Sequence, residues 1–276
     1  MSTPLRPVTE RPKGVVAPTS ASRKFRLARY QPPAGLAAFL DHAWLVEWDL
    51  RGQPAYTQRT LPYPCVNLVF DAGRTALFGV VRGAFDYTLA GRGRALGLRF
   101  RPGAFRAVLG RPVHTVTDRV LPLPAVFAGL DDEAAAGFER AVLEAGDDAA
   151  MVAAAADFLQ PRLPPPDARV ERLQAILAQA AGDGLLTRVE ALAERAGMSV
   201  RALQQCFADY LGVSPKWVVR RYRLHEAADR LAGGEAVDLA QLAQSLGYYD
   251  QAHFTRDFQR LVGQPPHAYR RQEAGA

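Results

Sequence analysis

The chain has 276 residues, 49% of them hydrophobic and 22% charged, with a formal net charge of +6. That length suits two domains, the apolar share suffices for packed cores, and no apolar run reaches the length of a membrane span. Cys65 and Cys206 stand far apart with no second metal-ligand pair, which argues against a disulfide or zinc scaffold and fits a reducing cytoplasm.

In chain order, Met1–Ser22 is rich in Pro, Thr and Ser and lacks the apolar core of a secretory signal. Residues 1–24 therefore read as a flexible basic tail. Up to Arg29 there are seven basic residues (Arg6, Arg11, Lys13, Arg23, Lys24, Arg26, Arg29) against Glu10, a net of +6, which equals the excess of the whole chain. From Gly182 onward, 12 Lys/Arg face 11 Asp/Glu, so the C-terminal region carries a net of only +1.

Residues 36–100 read as mostly β. Trp44–Trp48, Cys65–Phe70, Ala76–Val81, Phe85–Leu89 and Ala95–Phe100 are short runs separated by Gly, Pro and Asp. Alternation is clearest where Leu96, Leu98 and Phe100 share one face and Gly97 and Arg99 the other. Strands of this length suggest a small barrel or sandwich. Ala104–Leu109 predicts one or two helical turns, and helices follow at Asp131–Glu144 and Asp147–Leu159. Residues 25–160 thus form one domain in this reading, and the Pro-rich run 161–166 is a stiff, exposed linker to a second domain at 167–276.

The second domain repeats itself. Leu192-Ala193-Glu194-Arg195-Ala196-Gly197 continues to Leu203, Phe207, Leu211, Gly212 and Pro215. Leu242-Ala243-Gln244-Ser245-Leu246-Gly247 continues to Phe254, Phe258, Val262, Gly263 and Pro266. The offset is 50 up to the glycine and 51 after it, so the second copy has one extra residue in its turn. Each copy predicts two short helices around a turn whose glycine takes positive φ, a helix–turn–helix able to lay its second helix in a major groove. Between the copies, Ser214 and Pro215 predict the N-cap and first residue of a helix running to Leu231. At 1.5 Å per residue this spacer is about 25 Å long. With the turns at its ends it would set the two reading helices roughly 34 Å apart, one turn of B-DNA.

The run from about Val170 to Arg271 resembles the DNA-binding domain of the AraC/XylS family of bacterial transcription regulators. The residues that carry this are Leu192-Ala193…Ala196-Gly197-Met198-Ser199, Gly212-Val213-Ser214-Pro215, and the block Leu242–Phe258 with its Gly247-Tyr248-Tyr249-Asp250-Gln251-Ala252-His253-Phe254. Gly263-Gln264-Pro265-Pro266…Tyr269-Arg270 closes it. The resemblance covers about a hundred residues. It implies an α+β chain in which a β-barrel or cupin-like sensing and dimerising domain with flanking helices precedes an all-α, homeodomain-like double helix-turn-helix. It also implies promoter DNA as partner, activation through RNA polymerase, and a cytoplasmic protein of bacteria that associates with the nucleoid when bound. The segment Leu96–Phe105 resembles a group of such regulators whose N-terminal domain has no settled role, so architecture carries over and no ligand does.

Residue roles follow from the faces. With Leu203, Cys206 and Phe207 inward, Arg201, Gln204 and Gln205 point outward, where arginine suits guanine and glutamine suits adenine. With Phe254 and Phe258 inward, Gln251, Ala252, Thr255 and Arg256 face the groove, Ala252 able only to touch a thymine methyl. Arg220 and Arg221 on the spacer are expected at phosphates. The plain alternative for all of these is a solvated helix face. His253 is expected to pack beside the turn or touch phosphate.

For the β domain, Trp44, Trp48, Tyr56, Phe78 and Tyr87 are the candidate lining of an effector pocket, with ordinary core packing as the commoner use of strand aromatics. His42, Glu47 and His114 lack the spacing of a metal site, and ordinary histidines are the better reading. No nucleophile triad, phosphate loop or carboxylate pair stands out. The expectation is therefore a DNA-binding regulator with no cofactor, no metal and no catalytic residue, whose β domain senses a small molecule, pairs two subunits, or does both. The alternative is an enzyme with a repair or modifying activity in the β domain, fused to the reader.

Overall fold

The computed structural model describes residues 5–10, 14–182, 188–233 and 238–274. The remainder of the expected tail, 1–4 and 11–13, lies outside the described residues.

The strands are β1 (Arg26–Tyr30), β2 (Leu40–Leu50), β3 (Tyr56–Thr60), β4 (Asn67–Asp71), β5 (Ala76–Phe78), β6 (Phe85–Leu89), β7 (Gly91–Phe100) and β8 (Val120–Leu121). They form a six-stranded antiparallel sheet, ordered β1-β2-β7-β4-β5-β8, and a separate ribbon of β3 and β6. The α+β class therefore holds, with two opposed sheets in the β part. The alternation read in β7 is real. Leu96, Leu98 and Phe100 join Leu45, Leu68, Phe70 and Leu77 in the buried core on one face. Helices α3 (Asp132–Leu143) and α4 (Asp148–Leu159) cover that face, with Phe158 edge-on to both Phe70 and Phe138. Asp131 and Asp147 start these helices, each accepting a hydrogen bond from the amide three residues on.

The other face of the sheet is lined differently. Arg29, Trp44, Gly97 and Val69 lie in one row across β1, β2, β7 and β4, and His42, Arg99 and Asn67 lie in the next. The Trp44 indole lies flat over Gly97, where an added Cβ would stand 2.1 Å from its ring, and Trp48 covers Gly93 in the same way. Glycine at these positions is what lets two indoles lie down on the sheet.

Chain entry differs from the expected flexible tail. Val15 bridges to Thr60 and Pro7 to Tyr30, and the short helix α1 (Pro18–Ala21) follows. Val16 and Ala21 are buried. This small apolar run is hard to see in a polar segment, because its cover comes from the far end of the chain. Val16 and Ala17 pack in one cluster with Ala227, Ala228 and Tyr269.

After α2 (Phe105–Leu109), the C-terminal region consists of α5 (Arg169–Gly182), α6 (Val189–Arg195), α7 (Val200–Leu211), α8 (Pro215–Ala232), α9 (Leu239–Ser245), α10 (Gln251–Val262) and α11 (Pro266–Ala274). Its first half shares one continuous core with the β domain, reaching from Leu36 through Phe207 to Val219. Its second half, from Leu224 to Tyr269, forms a separate cluster that also takes in Val16, Ala17 and Leu61.

Candidate nucleic-acid interface and interdomain cavity

The two turns are built alike. Gly197 (φ 62°) follows α6 and Gly247 (φ 71°) follows α9. In the first, the Met198 and Gly197 amides bond back to the carbonyls of Ala193 and Glu194; in the second, those of Tyr248 and Gly247 bond to Ala243 and Gln244. Both are Schellman closures, which require the left-handed residue that glycine supplies. The helices that follow start on side-chain caps: Ser199 accepts from the Ala202 amide and Asp250 from the His253 amide. The extra residue of the second copy is accommodated between Gly247 and Asp250, and Tyr249 there stands 95% exposed at the start of α10.

Leu203 and Phe207 in α7, and Phe254 and Phe258 in α10, are fully buried. Arg201, Gln204 and Gln205 are consequently exposed on α7, as are Gln251, Ala252 and Arg256 on α10, with Thr255 half-buried beside them. Arg256 Nε bonds to the Ala252 carbonyl at 3.3 Å, which lays its guanidinium along the exposed face. His253 packs edge-on against Tyr248, with ring centroids 5.3 Å apart, and lies 3.7 Å from Asp257.

The two spacer arginines part company. Arg220 remains partly exposed and donates to the buried carboxylate of Asp257 on α10 at 2.5 Å, fastening the spacer to the second reading helix. Arg221 is not at the surface and departs from its expected place at a phosphate. It is 3% exposed, its Nη2 donates to the carbonyls of Arg82 and Gly83 at 2.6 and 3.1 Å, and its guanidinium lies over the Trp217 ring. Burial, and after it the charge of Arg220, pulls its pKa down to about 10. The cause is tertiary: the loop between β5 and β6 covers that turn of α8. Further ties between the halves are Arg106 to Asp209 at 2.7 Å and the Thr117 hydroxyl to the Gly212 carbonyl at 2.8 Å.

Between the sheet, the β3–β6 ribbon and the helices lies a cavity of about 1030 Å³. Of the candidate aromatics, Trp44, Trp48, Phe78 and Tyr87 line it; Tyr56 does not, being turned against Phe25 with its hydroxyl on Gln58. The part the sequence does not disclose is the fourth wall. Leu177 of α5 and Tyr222 and His225 of α8 close the cavity from the C-terminal region. Tyr63 connects the walls, its ring 4.1 Å from that of His225 and 6.2 Å from that of Tyr222. Burial raises the Tyr63 and Tyr222 hydroxyls well above the ordinary tyrosine range. Among the described residues, no group of three or more His, Cys, Asp and Glu could hold a metal ion, and no helix is long and apolar enough to cross a membrane.

Two capped helix–turn–helix units joined by one helix, beneath a β domain, define a tandem helix-turn-helix protein. Residues 192–272 match a helix-turn-helix domain family and residues 28–122 a domain of unknown function, DUF6597. Over its helix-turn-helix region the chain is similar to AraC-like proteins, and its N-terminal segment matches DUF6597. It is 35% identical over 80 residues to a putative AraC-like transcription regulator of Streptomyces lividans, covering 29% of this chain and 26% of that one. It is also 35% identical over 82 residues to the RCS-specific HTH-type transcriptional activator RclR of Escherichia coli K12, covering 30% and 28%. The chain thus spans little more than a quarter of the length of either curated relative. Among solved structures, a single-residue variant of apo ToxT from Vibrio cholerae aligns over 90% of this chain and 94% of its own, at 11% identity and a TM-score of 0.40.

Proposed function

We propose that the protein is a sequence-specific DNA-binding transcription regulator whose α7 and α10 enter adjacent major grooves of promoter DNA. The observation that carries this reading is the duplication itself. Two turns closed by the same hydrogen bonds each leave the side chains of the following helix free to meet base edges: Arg201, Gln204 and Gln205 in one copy, Gln251, Ala252, Thr255 and Arg256 in the other. Arg220 meets phosphate from the rim of α8 in this reading, which the solvent-exposed part of its side chain supports. The activating role in this reading is supported by the Escherichia coli relative, which is named a transcriptional activator, and RNA polymerase is the partner that the AraC/XylS resemblance implies. The β domain senses a small molecule through the interdomain cavity, because that cavity shares a wall with the helix that spaces the readers. An enzymatic β domain has no support from either matched segment.

Footprinting on genomic fragments selected by the full chain tests the reading. Two protected stretches centred roughly 10 base pairs apart, on one face of the duplex, are expected. A single short patch, or protection indifferent to sequence, rejects it.

A further inference from the structure

The cavity is lined by two chemically distinct sets of side chains. Trp44, Trp48, Phe78, Phe85 and Tyr87 form an aromatic set. In the other set Arg29 and Arg99 project from the same face of the sheet, one on its edge strand β1 in the row of Trp44 and the other two strands away on β7. Burial, and then the charge of Arg99, draws Arg29 below the ordinary arginine range. The neighbouring carboxylates do not neutralise both. Asp41 lies 3.4 Å from Arg99 and also accepts from His42 at 3.1 Å, while Glu10 reaches Arg29 from the exposed rim, where water screens it. The Arg29 guanidinium bonds to the main-chain carbonyl of Glu10, a neutral partner. Arg101, the third arginine on this wall, is held by Glu171 at 3.1 Å. The remaining carboxylates lie elsewhere on the wall: Asp71 under the Tyr87 hydroxyl and Arg74, and Glu226 and Asp229 on α8, the first paired with Arg230.

Two arginines on one face of the sheet, both lining the cavity beside two indoles laid flat on glycines, offer a receptor for a planar anion attached to an apolar body. We propose that the cavity takes a small organic monocarboxylate, its carboxylate between Arg29 and Arg99 and its apolar body along Trp44 and Trp48. This rests on the sensing role assigned above and adds the chemical class of the effector. It also supplies a route to the reader. Arg99 lies over the Tyr63 ring, 4.4 Å from its centroid, and that ring touches Tyr222 and His225 of α8. An anion that draws Arg99 from Asp41 therefore acts one ring away from the spacer.

The test uses the full chain and three compounds of one shape: 4-phenylbutyrate, 4-phenylbutyramide and 4-phenylbutylamine, with benzoate and 8-phenyloctanoate as shorter and longer acids. Calorimetric titration and quenching of tryptophan emission are read together, since two of the three tryptophans line the cavity. At least one acid is expected to bind, with the matched amide and amine at least about tenfold weaker. In Arg29→Gln its affinity should fall at least about tenfold, with partial recovery in Arg29→Lys. Amide or amine binding as tight as the acid overturns the carboxylate class while leaving a sensing cavity. Binding by none of the five overturns the class and the sensing role together. Unchanged affinity in Arg29→Gln overturns the placement. None of these outcomes bears on the two-groove footprint, so the reader stands or falls separately.

Discussion

Arg221 donates from Nη2 to the main-chain oxygen of Arg82 at 2.6 Å, across 139 positions of sequence. A residue that looks like a phosphate contact is in fact the pin between the spacer helix and the loop joining β5 to β6. Arg221→Ala should lower stability by about 2–3 kcal/mol, the loss of a buried charged donor that leaves two carbonyls behind. The salt slope of DNA binding should stay as in the parent protein, because no phosphate contact is removed. Thermal melting and a salt titration on the same operator check both halves.

Arg256 stands on the exposed face of α10. Arg256→Ala should cost about 1–3 kcal/mol on the preferred site and relax choice at one base pair. Selection from a randomised operator library measures this; equal weakening on every sequence would reduce the residue to a phosphate contact.

Tyr249 is the residue that breaks the otherwise equal spacing of the two copies. Tyr249→Ala should leave the melting temperature within the range of ordinary surface changes, about 0.5 kcal/mol. Affinity for duplex should fall severalfold, since the ring projects where α10 starts. Parallel melting and gel-shift measurements distinguish a DNA-facing ring from an idle one.

Gly97→Ala should destabilise by about 1–3 kcal/mol, because the new methyl would overlap the Trp44 ring. Lifting that indole should also shift the tryptophan emission and weaken whichever acid the cavity binds. Denaturant unfolding followed by fluorescence reads the first two effects in one experiment.

Asp148 accepts from Arg26 Nη1 and Nη2 and from the Tyr30 hydroxyl. The hydrogen bonds from Arg26, and less so the one from Tyr30, outweigh burial and hold its carboxyl below the ordinary range. A depressed carboxyl contributes stability above the unfolded value of about 3.9 and loses it as pH falls through the folded value. Asp148→Asn should therefore lower stability near neutrality and flatten the decline below about pH 4. Melting curves taken from neutral pH down through the carboxylate range report both.

What could be read from the sequence was local. Ser199, Ser214 and Asp250 cap the helices that their positions announce, and Gly197 and Gly247 take the positive φ that a helix reversal requires. The Leu96–Phe100 alternation likewise assigns each side chain to a face, since a strand leaves no other choice. What escaped was set by distant partners. Val16 looks like tail until α8 and α11 cover it, and β1 becomes a strand only by pairing with β2. Four of the five proposed lining aromatics do line the cavity, but its wall from α8 depends on how two domains dock. Arg29 and Arg99 gave no signal as a pair, being 70 positions apart and joined only through the rows of the sheet.

Helix α8 belongs to both cores: Val218 and Val219 sit in the one shared with the β domain, and Leu224, Ala227 and Leu231 in the one around α10. It works as an axle keyed at each end. Inserting one residue near Tyr222 would add only about 1.5 Å of length but would rotate the far key by about 100°. Operator recognition should thus tolerate many substitutions along this shaft and scarcely any change in its residue count, because angular phase, more than reach, keeps both helices on one side of the duplex.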